Sequence, residues 1–168
     1  MSEEFLQNLN KDFAKREGLL FVGGFAHPPN ADAVLWFAKE VFPKIREQIK
    51  VNFYIVGSKV TDEIKALEQP GNGIIVKGFV SEEELADLYR NCRIVVVPLR
   101  YGAGVKGKVV EAIYNGAPIV TTSVGSEGIP DVDKDEKRLE DLAEKTQVYI
   151  REHFSIDAAW DVIKEDFE

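Results

Sequence analysis

Lys106, Lys108 and Glu111 follow directly on Gly102 and Gly104 in the stretch GAGVKGKVVEA, and this combination of residue types is that of an anion site. Glycines let the backbone turn tightly and approach a phosphate closely. The helix that starts behind them offers N–H groups without intrahelical partners and the positive end of its dipole. Lys106, between Gly104 and Gly107, has little packing work to explain it and is the first choice for the cation, whereas Lys108 reads as a solvated residue of the helix. Glu111 is set among Val109, Val110, Ala112 and Ile113, where a carboxylate needs a polar partner. Ribose hydroxyls can donate to it, and an ordinary salt bridge is the competing explanation.

The elements around this stretch form a repeating pattern. Ile94, Val95, Val96 and Val97 make an apolar run without polar alternation, as expected of a parallel strand covered on both faces, and Pro98 stops it. Residues 19–23 (LLFVG) and 51–56 read as earlier strands, 74–76 as a third, and 119–121 as a fifth. Between them, Val34, Phe37, Ala38, Val41 and Ile45 mark one face of a helix starting after Asn30, which Pro43 should end or kink. Residues 61–67 read as a short helix. Ser81 with Glu84 is a capping box for another, whose apolar side is Leu85, Leu88 and Tyr89. Strands alternating with helices require right-handed crossovers, so the expected fold is α/β, a Rossmann-like doubly wound parallel sheet flanked by helices in a single domain.

In such a sheet, ligands bind beyond the carboxyl ends of the strands, near a switch in strand order. The loops there are residues 23–30, 57–61, 78–81, 99–106 and 122–127, in which glycine, serine and threonine recur. Short βα turns need such residues for purely structural reasons. Only the fourth loop, with Lys106 and Lys108 at its end, favours a binding role over a structural one.

Composition bounds the rest. A chain of 168 residues with 45% hydrophobic residues suffices for one domain with a real core. Residues 1–17 are polar, with Phe5, Leu6, Leu9 and Phe13 at helical spacing, and read as an amino-terminal arm or linker; residues 18–168 read as the domain, carboxy-terminal helices included. The net charge of −8 argues against nucleic acid and anionic membranes as partners, so an anion site must be local. No apolar run approaches the ~20 residues that span a bilayer, and no signal-peptide pattern opens the chain, so a cytoplasmic location is expected. Cys92 alone cannot form an internal disulfide, and His27 and His153 are too few for a zinc cluster; no metal is expected. Cys92 reads as a small buried residue, Trp36, Phe37 and Phe42 as core, and His27 as a loop hydrogen-bonder.

Taken together, VGGFAHPPNADAVLWF, YIVGS, VKGFV and VPLRYGAGVKGKVVEAIYNGAPIVTTSVGSEGI resemble, in order and spacing over residues 16–129, the carboxy-terminal domain of family-4 (group 1) glycosyltransferases. The resemblance implies half of a GT-B fold, the half that holds a nucleoside-diphosphate sugar, with an acceptor domain elsewhere. It implies that Gly23, Gly24 and Phe25 lie against the donor diphosphate, that Gly57 and Ser58 border the nucleotide, and that Phe79 and Val80 place the nucleobase. The loop from Gly102 through Gly104 to Lys106 then lies beside diphosphate and sugar, with Lys106 stabilising the leaving group, and Glu111 holds the ribose. Two departures are visible. Many members pair the acidic residue with another eight positions earlier, where this chain has Ala103, and many have an arginine and a lysine after the first glycine turn, where this chain has Phe25 and HPPN. Transfer of a sugar with retention, in polysaccharide or glycoconjugate synthesis, is the implied activity, and the isolated domain is expected to be inactive without its acceptor half. The alternative is a non-catalytic α/β nucleotide-binding or regulatory module; one of the receiver type would need an aspartate at a strand end, and the strand ends here offer glycine, proline and lysine.

Overall fold

The computed structural model describes residues 15–104 and 106–127. The helical spacing in residues 5–13 and the segment from Leu139 to Trp160 lie outside the described residues. Arg16 and Glu17 are part of the body of the domain: the Arg16 guanidinium is buried and donates to Gly116 O at 3.0 Å, and Glu17 N donates to Asn91 O at 2.9 Å.

Five strands, β1 (Leu19–Val22), β2 (Phe53–Val56), β3 (Ile74–Gly78), β4 (Ile94–Val97) and β5 (Ile119–Thr121), form one sheet. Its order is β3-β2-β1-β4-β5, and every pairing is parallel. The fold is the Rossmann-like α/β one expected. Consecutive residues such as Leu20 and Phe21 in β1, or Ile55 and Val56 in β2, are buried together, which is the mark of strands covered on both faces. Register is fixed by pairs such as Leu19 with Phe53 and Leu19 with Ile94.

The first crossover begins with α1 (Pro28–Trp36), three residues earlier than the expected start after Asn30. Pro28 and Pro29 occupy its first positions, where a missing N–H costs nothing. Pro43 does not end the helix. The chain widens into a π-helical turn (Phe37–Val41), with Phe42 N donating to Phe37 O, and continues as α2 (Phe42–Gln48). The wider turn answers Pro43's lack of an N–H and the clash of its ring with a preceding carbonyl. Phe37 and Phe42 both pack on Phe53, with ring centroids 5.0 and 5.4 Å away.

The later crossovers are α3 (Asp62–Lys65), α4 (Glu82–Asn91) and α5 (Gly107–Tyr114), followed after β5 by α6 (Ser123–Ser126). Three hydroxyls cap helices by accepting a backbone N–H: Thr61 from Ile64 at 3.3 Å, Ser81 from Glu84 at 3.2 Å, and Thr122 from Gly125 at 3.1 Å. Only half of the expected capping box forms, because the Glu84 carboxylate instead pairs with Lys77 at 2.7 Å. β1 pairs with β2 on one side and β4 on the other, so the strand order switches between β1 and β4. The loops after these two strands flank the crevice where an open α/β sheet takes its ligand.

Candidate functional site

Three glycines finish the carboxyl ends of β1, β2 and β3 side by side. Gly23 N donates to Val56 O at 3.0 Å and Gly57 N to Gly78 O at 2.8 Å, while Phe25 N donates to Ser58 O at 2.9 Å. The first and second loops thus form one platform. Gly57 is obligatory for it, since a Cβ there would meet Gly23 O at 1.8 Å. Ser58 is exposed on this platform, and its Oγ would lie 3.2 Å from a Cβ on Gly24.

Phe25 does not present its ring to a ligand. The ring is buried and stacked 6.1 Å from Phe21, so the residue belongs to the core and its backbone N–H is already taken by Ser58. Phe79 is the reverse case: it follows the left-handed Gly78 and is 83% exposed, with Val80 partly buried beside it. An aromatic face so placed can stack on a planar ring.

The start of α1 is poorly equipped to bind an anion. Pro28 and Pro29 have no N–H, and the amides of Asn30 and Ala31 both turn back to His27 O, at 3.0 and 3.4 Å. The start of α5 is the better end. Val109 N makes the first bond of that helix, to Lys106 O at 2.9 Å, and the amides of Gly107 and Lys108 precede it.

Neither lysine is a solvated surface residue. Lys106 is buried, donates to Gly104 O at 2.7 Å and stands 3.7 Å from Glu127 Oε2. Glu127 also accepts from Gly104 N at 3.2 Å, so a carboxylate of the protein itself occupies the cradle that Gly104 and Lys106 make. Lys108 is not a solvated helix residue. Its Nζ bonds Asn30 Oδ1 and lies 4.7 Å from the Phe21 ring, directly behind Gly23, where a Cβ would come within 2.9 Å of it. Burial and, to a lesser degree, repulsion from Lys106 lower its pKa to about 8 against the opposing pull of Glu111. Sequence spacing alone could not separate these lysines. The sign would have been Asn30, whose side chain nothing in the sequence otherwise employs.

Asn30 is itself buried and uses both ends of its amide, Nδ2 donating to Gly24 O at 2.9 Å while Oδ1 receives Lys108. It ties the turn after β1 to the first turn of α5. The loop after β4 is anchored by Arg100, which forks onto the Asp32 carboxylate and lies 5.6 Å from the Trp36 ring centre, and by Thr122 Oγ1, which donates to Leu99 O at 2.5 Å. Trp36, expected in the core, is only partly buried and supports this arginine.

Glu111 is exposed, and its apolar sequence neighbours do not enclose it. Its partner is the hydroxyl of Tyr89, which donates to Oε2 at 3.2 Å. Burial and the adjacent carboxylate push the Tyr89 hydroxyl well above the usual phenol range, so it stays a donor. Cys92 is buried as expected, its thiol pushed up to about 12 by burial. The structure therefore brings Gly23, Gly24, Gly102, Gly104, Lys106 and Lys108 to the crevice between β1 and β4, with Glu111 further along α5 and Phe79 beyond the β2 loop. A separate hollow of about 390 Å³ lies at the amino ends of the strands, lined by Gly18, Lys50, Asn52, Tyr54 and Arg93.

A five-stranded parallel sheet with glycine turns and two lysines at its switch point defines the Rossmann-like α/β class of domain. Residues 16–150 match the family model described as glycosyl transferases group 1, and the chain belongs to that family. Over 116 residues it is 34% identical to an uncharacterized 44.6 kDa protein in the cps region of Klebsiella pneumoniae, covering 66% of this chain and 30% of that protein. Among solved structures it is similar to the pneumococcal O-GlcNAc transferase GtfA in complex with UDP and GlcNAc, with a TM-score of 0.54 and 24% identity over 91% of this chain and 33% of that one. The chain thus spans about a third of the length of the proteins it matches. Among the described residues, no helix is long and apolar enough to cross a membrane.

Proposed function

We propose that this chain is the nucleotide-sugar half of a group 1 glycosyltransferase, the carboxy-terminal half of a GT-B pair. It binds a nucleoside-diphosphate sugar in the crevice between β1 and β4 and presents the sugar to an acceptor held on a separate amino-terminal domain. The observation that bears most on this is the convergence of the Gly23–Gly24 turn and the start of α5, with two lysines between them, at the switch point of a family member. Isolated, the domain holds donor without turning it over.

In the reaction so proposed, the bond between the sugar carbon and the diphosphate oxygen breaks and negative charge develops on the departing diphosphate. The amides of Gly24, Gly102 and Gly104 and the Lys106 ammonium meet that charge, an electrostatic role of the kind that is usually large in catalysis. Lys106 and Gly104 do so only once the Glu127 carboxylate has given way to the phosphate. Glu111, oriented by Tyr89, accepts from the ribose hydroxyls. Phe79 with Val80 lies where the base would stack, and Gly57 with Ser58 where the nucleoside would cross from β1 to β2. The diphosphate is met here by lysines and amides, with no bridging metal. Transfer with retention, into a polysaccharide or glycoconjugate, fits the family and the cps-region relative.

Calorimetric titration with uridine, guanosine and adenosine diphosphates tests this, with UDP first because GtfA was solved with it. Binding of at least one at sub-millimolar concentration is expected. Absence of binding to all three at millimolar ligand, with the fold intact, would exclude a donor site.

A further inference from the structure

We propose that Lys108, gripped by Asn30 against the Gly23 turn, is a second cation for the diphosphate beside Lys106, and that it takes up a proton from solvent as the ligand binds. This rests on the donor-binding role proposed above. The geometry supplies the first part. Lys108 Nζ lies against Gly23, within 2.9 Å of where a Cβ there would be, on Asn30 Oδ1 and over the Phe21 ring. Lys106, by contrast, is already committed to Gly104 O and faces Glu127.

The surroundings supply the second part. The loop before α5 contributes Lys106, which opposes a charge on Lys108; α5 itself contributes Glu111, which favours it; α1 contributes only the neutral Asn30 amide, and β1 only the Phe21 ring. Burial outweighs Glu111, and the ammonium loses its proton near pH 8. An incoming diphosphate restores an opposite charge within contact distance and draws the proton back on. Asn30 acts as a positioning residue. As an amide it fixes the Nζ without neutralising it, whereas a carboxylate there would hold Lys108 charged at all times and repel the phosphate.

The test is calorimetry of the whole chain with UDP and with inorganic pyrophosphate at pH 8, in two phosphate-free buffers of different ionisation enthalpy. The terminal phosphate of UDP ionises at about 6, as a phosphate ester does, so proton uptake is read with UDP alone, and pyrophosphate, which still holds a proton at this pH, serves only to measure affinity. For the natural sequence, an uptake of about half a proton per ligand is expected at a pH equal to the free pKa. Lys108→Arg, which stays charged, should bind within about threefold of the natural chain and show no uptake. Asn30→Asp should also lose the uptake, and with it about tenfold in affinity. Thermal melts establish that each variant is folded, and Lys108→Arg decides the matter if Asn30→Asp is not. UDP binding with heats independent of buffer, or undiminished uptake in Lys108→Arg, would overturn this inference alone. No binding of either ligand at millimolar concentration would overturn it together with the donor-binding role.

Discussion

The Tyr89 hydroxyl donates to Glu111 Oε2 at 3.2 Å, a bond that links α4 to α5 and aims an exposed carboxylate from a buried anchor. In the proposed donor site the arrangement separates two functions on one helix, with phosphate met at the start of α5 and the ribose assigned to Glu111, a turn further on. Glu111→Ala should therefore weaken UDP by about tenfold while leaving inorganic pyrophosphate within about twofold. Tyr89→Phe, which keeps the ring in the core and releases the carboxylate, should give a smaller loss in the same direction. Equal losses for both ligands in Glu111→Ala would show that the residue does not touch the ribose.

Glu127 occupies the cradle formed by Gly104 N and Lys106 Nζ. Replacing it with glutamine removes a competing negative charge from an exposed carboxylate beside the buried Lys106, so pyrophosphate should bind a few-fold more tightly, by about 0.5 to 1 kcal/mol. The gain should shrink as salt is raised. A weaker affinity would mean that Glu127 contacts the ligand directly.

Lys108 carries a cost in stability that can be measured. Its folded pKa of about 8 lies below the ordinary lysine value, so between those two pH values the unfolded chain binds more protons and folding stability rises with pH. Below pH 8 the full penalty of holding the ammonium is present. Lys108→Met should thus raise stability at pH 7 by about 1 kcal/mol, a figure reduced for partial solvent exposure and for the partner that Asn30 Oδ1 loses, and the advantage should vanish toward pH 10.5. Urea denaturation at both pH values provides the check, and a variant less stable than the natural chain at pH 7 would contradict it.

Gly57 has no room for a side chain, because a Cβ would strike Gly23 O, a backbone atom that cannot swing aside. Gly57→Ala should destabilise the domain by roughly 3 kcal/mol or more and distort the platform after β1. Gly23→Ala differs in kind: its Cβ would meet the ends of two side chains, Asn30 and Lys108, at 2.9 Å. It should cost phosphate affinity more than stability, as read by a thermal melt beside a pyrophosphate titration.

The five strands were legible because each is a short apolar run closed by glycine, proline or a polar turn, and parallel strands buried on both faces leave that pattern behind. The helix start at Pro28 was also written in the sequence, since paired prolines belong at the first positions of a helix. The π-helical turn before Pro43 was not, because apolar spacing does not reveal how a backbone accommodates a proline. Within the site, the glycine turns could be located from strand ends, but the placement of Lys108 depends on Asn30 and Phe21, which are remote in sequence and meet Lys108 only after the sheet is assembled. The apolar sequence neighbours of Glu111 suggest an enclosed carboxylate, yet it is exposed, and Tyr89, the residue that orients it, reads in the sequence only as packing.

Backbone amide shifts recorded during a titration with UDP test the central claim most directly, because they locate the ligand without requiring turnover. The donor site proposed here predicts saturable shifts concentrated at Gly23, Gly24, Gly57, Ser58, Gly102, Gly104, Gly107 and Lys108, at the carboxyl ends of β1, β2 and β4. Shifts confined to Gly18, Asn52, Tyr54 and Arg93 at the opposite end of the sheet, or none at millimolar UDP, GDP and ADP alike, would contradict it.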